Sequence, residues 1–258
     1  MASVLFEMID NVGYVTLNRS DKFNAFNREM AFLLQEILDN CNQDKNVRAV
    51  YITGAGKAFC SGQDLAEVVD PNGPGMNKIL KEHYNPIVQK IRNLEKPVIA
   101  AVNGVAAGAG ANIALCCDII VAHENASFIQ AFSKIGLIPD SGGTFFLPRL
   151  IGWQKASAIM LLGDKVSAQE AEKMGMIYKY FSADSFEQES KNIVKIVAAM
   201  PTKGLYFTKQ ALTNSFNNSW QEQLNDEDKF QQLAASTYDF KEGVAAFLEK
   251  RKPVFKGE

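Results

Sequence analysis

The sequence contains no hydrophobic run long enough to cross a lipid bilayer. A membrane-spanning helix needs about 18 or more consecutive apolar residues, and the 258 residues hold no such stretch. The first residues, Met-Ala-Ser-Val-Leu-Phe-Glu, also lack the basic start and apolar core of a secretory signal. We therefore expect a cytoplasmic protein that has no membrane partner.

Positive charge is not in excess either. Lys and Arg together number 27, and Asp and Glu number 29, which gives a formal net charge of −2. Domains that bind nucleic acids carry a basic patch or stripe. Without a general basic field, we expect this chain to have no nucleic-acid partner.

Cysteine and histidine are scarce, with four and two residues respectively. The cysteines are Cys41, Cys60, Cys116 and Cys117, and none of their spacings matches a zinc motif. Neither His83 nor His123 lies near a Ser or Cys in a recognisable nucleophile motif. We expect free thiols, as in a reducing compartment, and no metal site.

The sequence does have short apolar strands that alternate with helical segments. The runs Val12–Leu17, Val47–Thr53 and Val98–Val102 each precede helical material, and nearly everything after Phe186 has a helical pattern. This order predicts an α/β fold built from repeated β–β–α units, with a helical C-terminal part.

The best candidate for a boundary between these two parts is Met200-Pro201-Thr202. A proline ends one helical pattern here, and Thr202 is the expected cap of the next helix. We therefore divide the chain into a core of residues 1–199 and a helical region of residues 200–258.

Three local features predict structure on their own. Asp10-Asn11, between two alternating runs, predicts a β-hairpin over residues 4–17. Asn27 is the expected N-cap of a long helix. A helical pattern over residues 76–94 is interrupted near Asn85-Pro86, where we expect a kink or a break.

A glycine-rich turn follows the buried-type strand Val98–Val102. Gly108 and Gly110 flank Ala109, where a short helix of small residues is expected to begin. The dinucleotide fingerprint does not apply, because Ile113 stands where a third Gly or Ala is needed and no suitable acidic residue follows. Close packing of helix on strand explains the turn equally well.

A second loop of the same kind makes the glycine turn more informative. Gly62-Gln63-Asp64 and Gly108-Ala109-Gly110 both follow strands. Their main-chain N–H groups are able to converge on one carbonyl oxygen and to stabilise an enolate or a tetrahedral oxyanion. The two loops together predict an oxyanion-binding site.

Asp140 is the candidate acid/base group, and two interpretations of it stay open. Sequence alone favours a helix N-cap, because Ser-Gly-Gly-Thr follows Asp140. Its neighbours Phe132, Leu137, Ile138 and Phe145 are apolar, however. Burial among them would raise its pKa toward neutrality, which is the property of a general base.

Several strings spread over the whole chain resemble the crotonase superfamily of enoyl-CoA hydratases and isomerases. They are Leu17-Asn18-Arg19, Asn24-Ala25-Phe26, residues 58–65, residues 96–104, residues 139–144 and residues 246–251. The resemblance implies a crotonase-like spiral of β–β–α units with a C-terminal trimerisation region, assembled as trimers or hexamers. It also implies an acyl-CoA substrate whose thioester oxygen accepts hydrogen bonds from the N–H groups of Gln63 and Ala109.

The resemblance further implies which residues contact the substrate. The adenine would lie against the backbone of residues 22–23 and 61–65, Lys250 of a neighbouring subunit would reach a CoA phosphate, and Phe132 would border the acyl group. The residues assigned to CoA or acyl contacts are Lys22, Phe23, Ser61, Asp64, Leu65, Gly108, Asn112, Phe132 and Lys250. For Asn112 two interpretations stay open: it hydrogen-bonds the substrate, or it only fills space.

Departures from the family pattern favour one activity. Hydratases of the family carry two glutamates where this chain has Asn112 and Phe132, whereas Asp140 stands where the isomerases carry their base. The sequence therefore predicts an isomerase that works through an enolate, with Asp140 as base, no metal and no cofactor beyond the CoA of the substrate. The alternatives are an enoyl-CoA hydratase, a non-catalytic acyl-CoA-binding protein and, third, a dehalogenase, for which Trp153 lies too far along the chain.

Overall fold

The computed structural model describes residues 2–258, which form strands in two sheets surrounded by helices. The strands are β1 (Val4–Ile9), β2 (Val12–Leu17), β3 (Ala49–Gly54), β4 (Ala58–Cys60), β5 (Val98–Val102), β6 (Val105–Ala107), β7 (Ile119–His123), β8 (Ser127–Ile129), β9 (Lys165–Ser167) and β10 (Lys179–Phe181). The helices are α1 (Arg28–Gln43), α2 (Leu65–Val69), α3 (Gly75–Lys78), α4 (Asn85–Asn93), α5 (Ala109–Leu115), α6 (Gly143–Ile151), α7 (Trp153–Leu162), α8 (Ala168–Lys173), α9 (Phe186–Ala198), α10 (Thr202–Asn214), α11 (Trp220–Ala235) and α12 (Tyr238–Leu248).

From β3 to β8, successive strands alternate between the two sheets. The larger sheet has the order β1-β2-β3-β5-β7-β10, and the smaller one has the order β4-β6-β8-β9. Only the pairs β1–β2 and β8–β9 are antiparallel; the other pairs are parallel. Between β3 and β8, each pass of the chain thus adds one strand to each sheet, which confirms the predicted α/β spiral of β–β–α units.

The strand predicted to be buried on both faces lies at the centre of the larger sheet. All five residues of β5 are buried between β3 and β7. Val98, Ala100 and Val102 pack into the main core, whereas Ile99 and Ala101 face a second cluster beneath α9. An unbroken apolar run is what such a two-sided position requires.

Two of the three local predictions are confirmed as made. The hairpin forms, and its turn residues Asp10 and Asn11 both have positive φ, at 50° and 63°, as a tight two-residue turn requires. The Asn27 side chain accepts a hydrogen bond from the N–H of Met30 and caps α1.

The third prediction was a kink or a break in the helix near Pro86. The structure has an irregular helical segment there instead. The helix does not break there. A π-helical segment, Ile79–Tyr84, joins α3 to α4, and Pro86 lies in the first turn of α4. Because proline has no N–H and cannot continue an α-helical ladder, the irregularity falls just before it.

The expected cap at Thr202 is wrong. Helix α10 begins at Thr202 itself, Pro201 occupies the cap position, and no side chain caps the helix. The Thr202 hydroxyl instead accepts a hydrogen bond from Nε of Arg48 at 3.1 Å. The hydroxyl therefore ties the start of the C-terminal helices to the core rather than to its own helix.

None of the helices in residues 2–258 is both long enough and apolar enough to cross a bilayer. The four cysteines are free and buried. Helix α9 covers one face of the larger sheet, and α10 packs against the core through a buried ion pair between Lys209 and Asp118, at 2.9 Å.

Candidate active site

A cavity of about 180 Å³ lies between the two glycine-containing loops and the turn that carries Asp140. Its lining is mostly apolar and comprises Ser61, Gly62, Gln63, Leu65, Val68, Met76, Ile79, Tyr84, Gly108, Ala109, Ala131, Phe132, Ile135, Leu137 and Asp140. Asp140 is the only acidic side chain among these lining residues. Within residues 2–258, no three His, Cys, Asp or Glu side chains come together in a way that could hold a metal ion.

The two loops meet because they follow neighbouring parallel strands. Strand β4 pairs with β6, with Ala58 opposite Val105 and Cys60 opposite Ala106. The carboxyl ends of parallel strands lie at the same edge of a sheet, so the loops after Cys60 and Ala107 leave the sheet side by side. The sequence-predicted pair of loops is therefore brought together by the register of the smaller sheet.

Gly62 allows the closest approach between the loops. Its φ is +96°, and a Cβ at this position would lie 3.0 Å from the carbonyl oxygen of Ala107 and 3.6 Å from the nitrogen of Ala109. A side chain would be strained by its backbone conformation and would also push against the second loop.

The main-chain N–H groups of Gln63 and Ala109 are available to a ligand. The backbone of Phe26 makes hydrogen bonds with the residues on either side of Gln63. The Phe26 N–H donates to the carbonyl of Gly62, and the Phe26 carbonyl accepts from the N–H of Asp64. In the described part of the chain, neither the Gln63 N–H nor the Ala109 N–H has an acceptor. Ala109 is the first residue of α5, where N–H groups have no partner inside the helix.

Asp140 lies in the turn before α6, half-buried in the cavity wall. Burial raises the pKa of its carboxyl, and a 2.8 Å hydrogen bond from the Ser141 hydroxyl partly opposes the rise. The cap interpretation is wrong, because α6 begins at Gly143, with Gly142 in the cap position and no side-chain cap. The Asp140 carboxylate therefore makes no capping hydrogen bond to α6.

Asn112 is fixed by hydrogen bonds inside the protein. Its side chain is completely buried and does not line the cavity. Its Nδ2 donates to the main-chain carbonyl of Asp140 at 2.9 Å, and its Oδ1 accepts from Gln130 at 2.7 Å. Asn112 thus anchors the backbone of Asp140, and its contact with the substrate stays a prediction.

Phe132 lines the cavity next to the second loop, and its ring is buried. A Cβ placed on Gly108 would lie 3.8 Å from this ring, so the ring packs against the start of α5. The cavity wall at this position is therefore aromatic and apolar. Only Asp140 is therefore placed to move a proton as a carboxyl group.

The remaining predicted contact residues fall into two groups. Ser61 and Leu65 line the cavity mouth, and the Ser61 N–H donates to the carbonyl of Phe23 at 3.0 Å, which brings the exposed residues Lys22 and Phe23 to the same loop.

Asp64 and Lys250 lie outside the cavity lining. The Asp64 carboxylate accepts from the N–H of Ala66 at the start of α2, and it pairs with Arg19 at 2.9 Å. Lys250 is exposed just beyond α12.

Sequence reasoning missed Tyr84. Its ring is almost completely buried, it lines the cavity, and its hydroxyl donates to the Gln63 side chain at 2.9 Å. No motif marks Tyr84 in the sequence, and its position depends on the π-helical segment. The only sequence feature that pointed to this region was the interruption expected near Pro86.

Comparison with known proteins gives concordant results. Residues 7–258 match the family model described as "Enoyl-CoA hydratase/isomerase". The chain is 43% identical to the 1,2-epoxyphenylacetyl-CoA isomerase of Escherichia coli K12, over 100% of both chains. It is 39% identical to a protein of Rhodobacter capsulatus named "Probable enoyl-CoA hydratase", over 99% of this chain and 98% of that one. Among solved structures, an enoyl-CoA hydratase of Bacillus anthracis aligns with a TM-score of 0.93 at 32% identity and covers 99% of this chain and 100% of its own.

Proposed function

This chain belongs to the enoyl-CoA hydratase/isomerase family, and we propose that within it the protein is an isomerase of CoA thioesters that works through an enolate. One observation carries the proposal: a single carboxylate, Asp140, lines a cavity together with Gln63 and Ala109, whose main-chain N–H groups have no acceptor among residues 2–258. One base and one oxyanion site are the minimum that a proton shift next to a thioester needs.

The proposed reaction moves one proton and leaves the substrate composition unchanged; with a ring epoxide, the bond between the two epoxide carbons also breaks, and its electrons become part of the double bonds of the enlarged ring. The Asp140 carboxylate takes a proton from the carbon next to the thioester carbonyl, and the electron pair moves onto the carbonyl oxygen to give the enolate. The neutral carboxylic acid then returns the proton to a more distant carbon as the electrons move back. A raised pKa of Asp140 suits both proton transfers, because Asp140 acts as a base in the first and as an acid in the second.

The proposed oxyanion donors are the N–H groups of Gln63 and Ala109. They lower the energy of the enolate because its oxygen carries more negative charge than the ground-state carbonyl does. One such donor contributes roughly 2.7–4 kcal/mol in enzymes where it has been removed. In this proposal the thioester carbonyl accepts the negative charge of the enolate and the two N–H donors stabilise it, so no metal and no redox cofactor is needed.

For the acyl group, we propose a ring epoxide of phenylacetyl-CoA, or a 3-enoyl chain of similar bulk. The name of the 43% identical relative supports the first choice. The cavity supports both, because about 180 Å³ exceeds an engineered apolar cavity of about 150 Å³ that holds benzene. The CoA part would lie along Lys22, Phe23 and Ser61, and Lys250 would reach it from a neighbouring subunit of a trimer or hexamer.

Hydration is the second candidate, supported by the hydratase name of the 39% identical relative. Addition of water to a double bond needs an acid and a base that hold the water between them. Here Phe132 occupies one of the two glutamate positions of family hydratases, and Asn112 is turned toward Asp140 and Gln130. These substitutions favour isomerisation.

Product analysis with three substrates tests the proposal. The purified protein is incubated with 3-hexenoyl-CoA, 1,2-epoxyphenylacetyl-CoA and crotonyl-CoA in separate reactions. The products are separated by chromatography, and their masses are determined by mass spectrometry. We expect isomers of unchanged mass from at least one of the first two and slow hydration of crotonyl-CoA. Fast hydration with no isomerisation would replace the proposal by the hydratase, and turnover of none would favour a binding protein.

A further inference from the structure

The Gln63 side chain is held at both ends of its amide group. The Tyr84 hydroxyl donates to Oε1 of Gln63 at 2.9 Å, and Nε2 of Gln63 donates to Glu67 at 2.8 Å. The other oxygen of Glu67 accepts from the N–H of Arg28 at 2.8 Å. A residue needed in the proposed reaction only for its main-chain N–H is thus anchored through its side chain to α1, to α2 and to the π-helical segment.

Chemistry fixes the direction of these hydrogen bonds. A carboxylate only accepts, so Glu67 must face the NH₂ group of the Gln63 amide, and the Gln63 oxygen is left for Tyr84. Tyr84 is therefore a donor. Burial, together with the nearby Cys60 and Asp140, raises the pKa of Tyr84 well above its usual range, so the hydroxyl keeps its proton at neutral pH.

The π-helical segment gives Tyr84 its direction. In a π-helix each N–H bonds to the carbonyl five residues back, so residues five apart share a face; the Asn85 N–H donates to Leu80 in this way. Ile79 and Tyr84 are five apart, and both line the cavity. In a continuous α-helix they would lie about 140° apart around the axis, and the hydroxyl would miss Gln63.

We propose that Tyr84 is a positioning residue for the oxyanion site: its hydroxyl, through the Gln63 amide and Glu67, sets the direction of the Gln63 N–H. The proposal rests on the donor role suggested above for that N–H. The carbonyl of the peptide that joins Gly62 to Gln63 accepts from the Phe26 N–H at 2.7 Å, and the Tyr84 link is a second anchor that restrains the same peptide from the side chain of Gln63. Without the anchor, the donor would point less accurately at the enolate oxygen, while the contacts that bind CoA would remain.

A double-mutant cycle tests the coupling. Tyr84→Phe removes only the hydroxyl, and Gln63→Met removes the amide but keeps the main-chain N–H. We expect each to lower kcat for 3-hexenoyl-CoA about 10–100-fold with little change in KM, because small misplacements of a catalytic group have this effect. The double variant should lose no more than the larger single loss, since both changes break the same link.

Tyr51→Phe is the matched control. Tyr51 is also buried, and its hydroxyl makes a 2.9 Å hydrogen bond with Ser190, but it does not line this cavity. We expect its kcat to equal that of the unchanged protein. Losses that multiply in the double variant would show that Tyr84 acts independently of Gln63, and full kcat in Tyr84→Phe would show that Tyr84 has no role. Either result overturns the proposal.

A second readout needs no turnover. Butyryl-CoA labelled with carbon-13 at the carbonyl is bound to each variant, and its NMR resonance reports how strongly the oxyanion donors polarise the carbonyl. We expect a downfield shift on binding to the unchanged protein and to Tyr51→Phe, and an equally reduced shift in Tyr84→Phe and Gln63→Met. A full shift in Tyr84→Phe overturns the positioning role. If the shift is reduced but the unchanged protein isomerises nothing, the positioning role stands and the proposed function fails.

Discussion

Asp140 shows how a single side chain acquires a chemical role from its surroundings. It sits in a wall of apolar side chains, and the Ser141 hydroxyl is its one side-chain partner. Asn112 holds its carbonyl at 2.9 Å, so its backbone is fixed while its carboxylate is not used by the fold. A charged carboxylate that is desolvated and has no cation beside it lowers the stability of the fold. Groups of this kind are typical of catalytic sites.

The raised pKa of Asp140 leads to a prediction about pH. The base must be ionised, so kcat/KM for 3-hexenoyl-CoA should fall as the pH drops through this pKa. Because burial raises the pKa, the midpoint of the acid limb should lie above 3.8, the ordinary aspartate value. Rate measurements across acid and neutral pH, with circular dichroism to show that the protein stays folded, test this. A midpoint at or below 3.8 would argue against Asp140 as the base.

Phe132 should set the size of acyl group that the cavity accepts. Phe132→Ala removes a buried ring from the cavity wall and should shift the preference in kcat/KM toward longer or bulkier acyl groups. The loss of packing should also cost up to about 3–5 kcal/mol of unfolding free energy, the usual range for a buried Phe→Ala change. Kinetics on a series of 3-enoyl-CoA esters measures the preference, and an unaltered profile would place the acyl group elsewhere.

At the scale of elements, the site depends on two short parallel strands, β4 and β6, that deliver their loops to the same edge. Gly62→Ala tests this arrangement, because a Cβ there would meet the carbonyl of Ala107 at 3.0 Å. We expect kcat to fall by about 10²-fold as the loops separate, with a backbone cost of about 1–2 kcal/mol in stability.

Gly175→Ala is the control for Gly62→Ala. Gly175 also has positive φ, at +79°, but its nearest contact, the carbonyl of Leu150, would lie at an ordinary 3.7 Å. It should show a similar loss of stability in thermal unfolding and no loss of kcat. Equal kcat in both variants would mean that the approach of the two loops does not matter for turnover.

Two elements beside the site could be predicted from sequence because their signals are local, whereas the short strands β4 and β6, which deliver the two loops, were not predicted. The run Val98–Val102 and the start of α5 at Ala109 were both predicted correctly, since an unbroken apolar strand and a glycine turn each determine their own structure. The cap at Thr202 was wrong because Arg48, far away in the chain, takes its hydroxyl.

Tyr84 could not be predicted because its role depends on contacts made across the fold. The π-helical segment that aims it at the cavity has no sequence signature beyond the nearby Pro86, and its partner Gln63 is 21 residues away. Asn112 is similar: the sequence shows a polar residue in a small apolar helix, and only the fold reveals that Asp140 and Gln130 satisfy it. Local patterns thus gave the frame of the site, and long-range hydrogen bonds decided its details.

At the scale of the whole molecule, a cluster of one buried and two partly buried charges joins the C-terminal helices to the core. Asp118, at the entry to β7, pairs with Lys209 of α10 at 2.9 Å and with Arg92 of α4 at 3.1 Å. It also accepts from the N–H of Val98 at 2.8 Å. Burial lowers the pKa of Lys209, and Asp118 opposes that change, so the carboxylate is what allows a charged lysine to remain there.

Asp118→Asn should therefore destabilise the protein strongly. Removal of one partner leaves the Lys209 charge buried without compensation, which typically costs about 3–5 kcal/mol. Glu95→Gln is the control, because it breaks an exposed pair with Lys203 that should contribute about 1 kcal/mol or less. Urea unfolding of both variants measures the difference, and equal losses would mean that the cluster does not hold the C-terminal helices.

The most direct test of the account is the effect of Asp140→Asn on turnover and on binding, measured side by side. We expect kcat for 3-hexenoyl-CoA, or for the ring epoxide if that is the better substrate, to fall by about 10²–10⁴-fold, while the Kd of the saturated ester butyryl-CoA stays almost unchanged. Asp184→Asn, at an exposed position away from the cavity, should alter neither quantity. Undiminished turnover in Asp140→Asn would contradict the account.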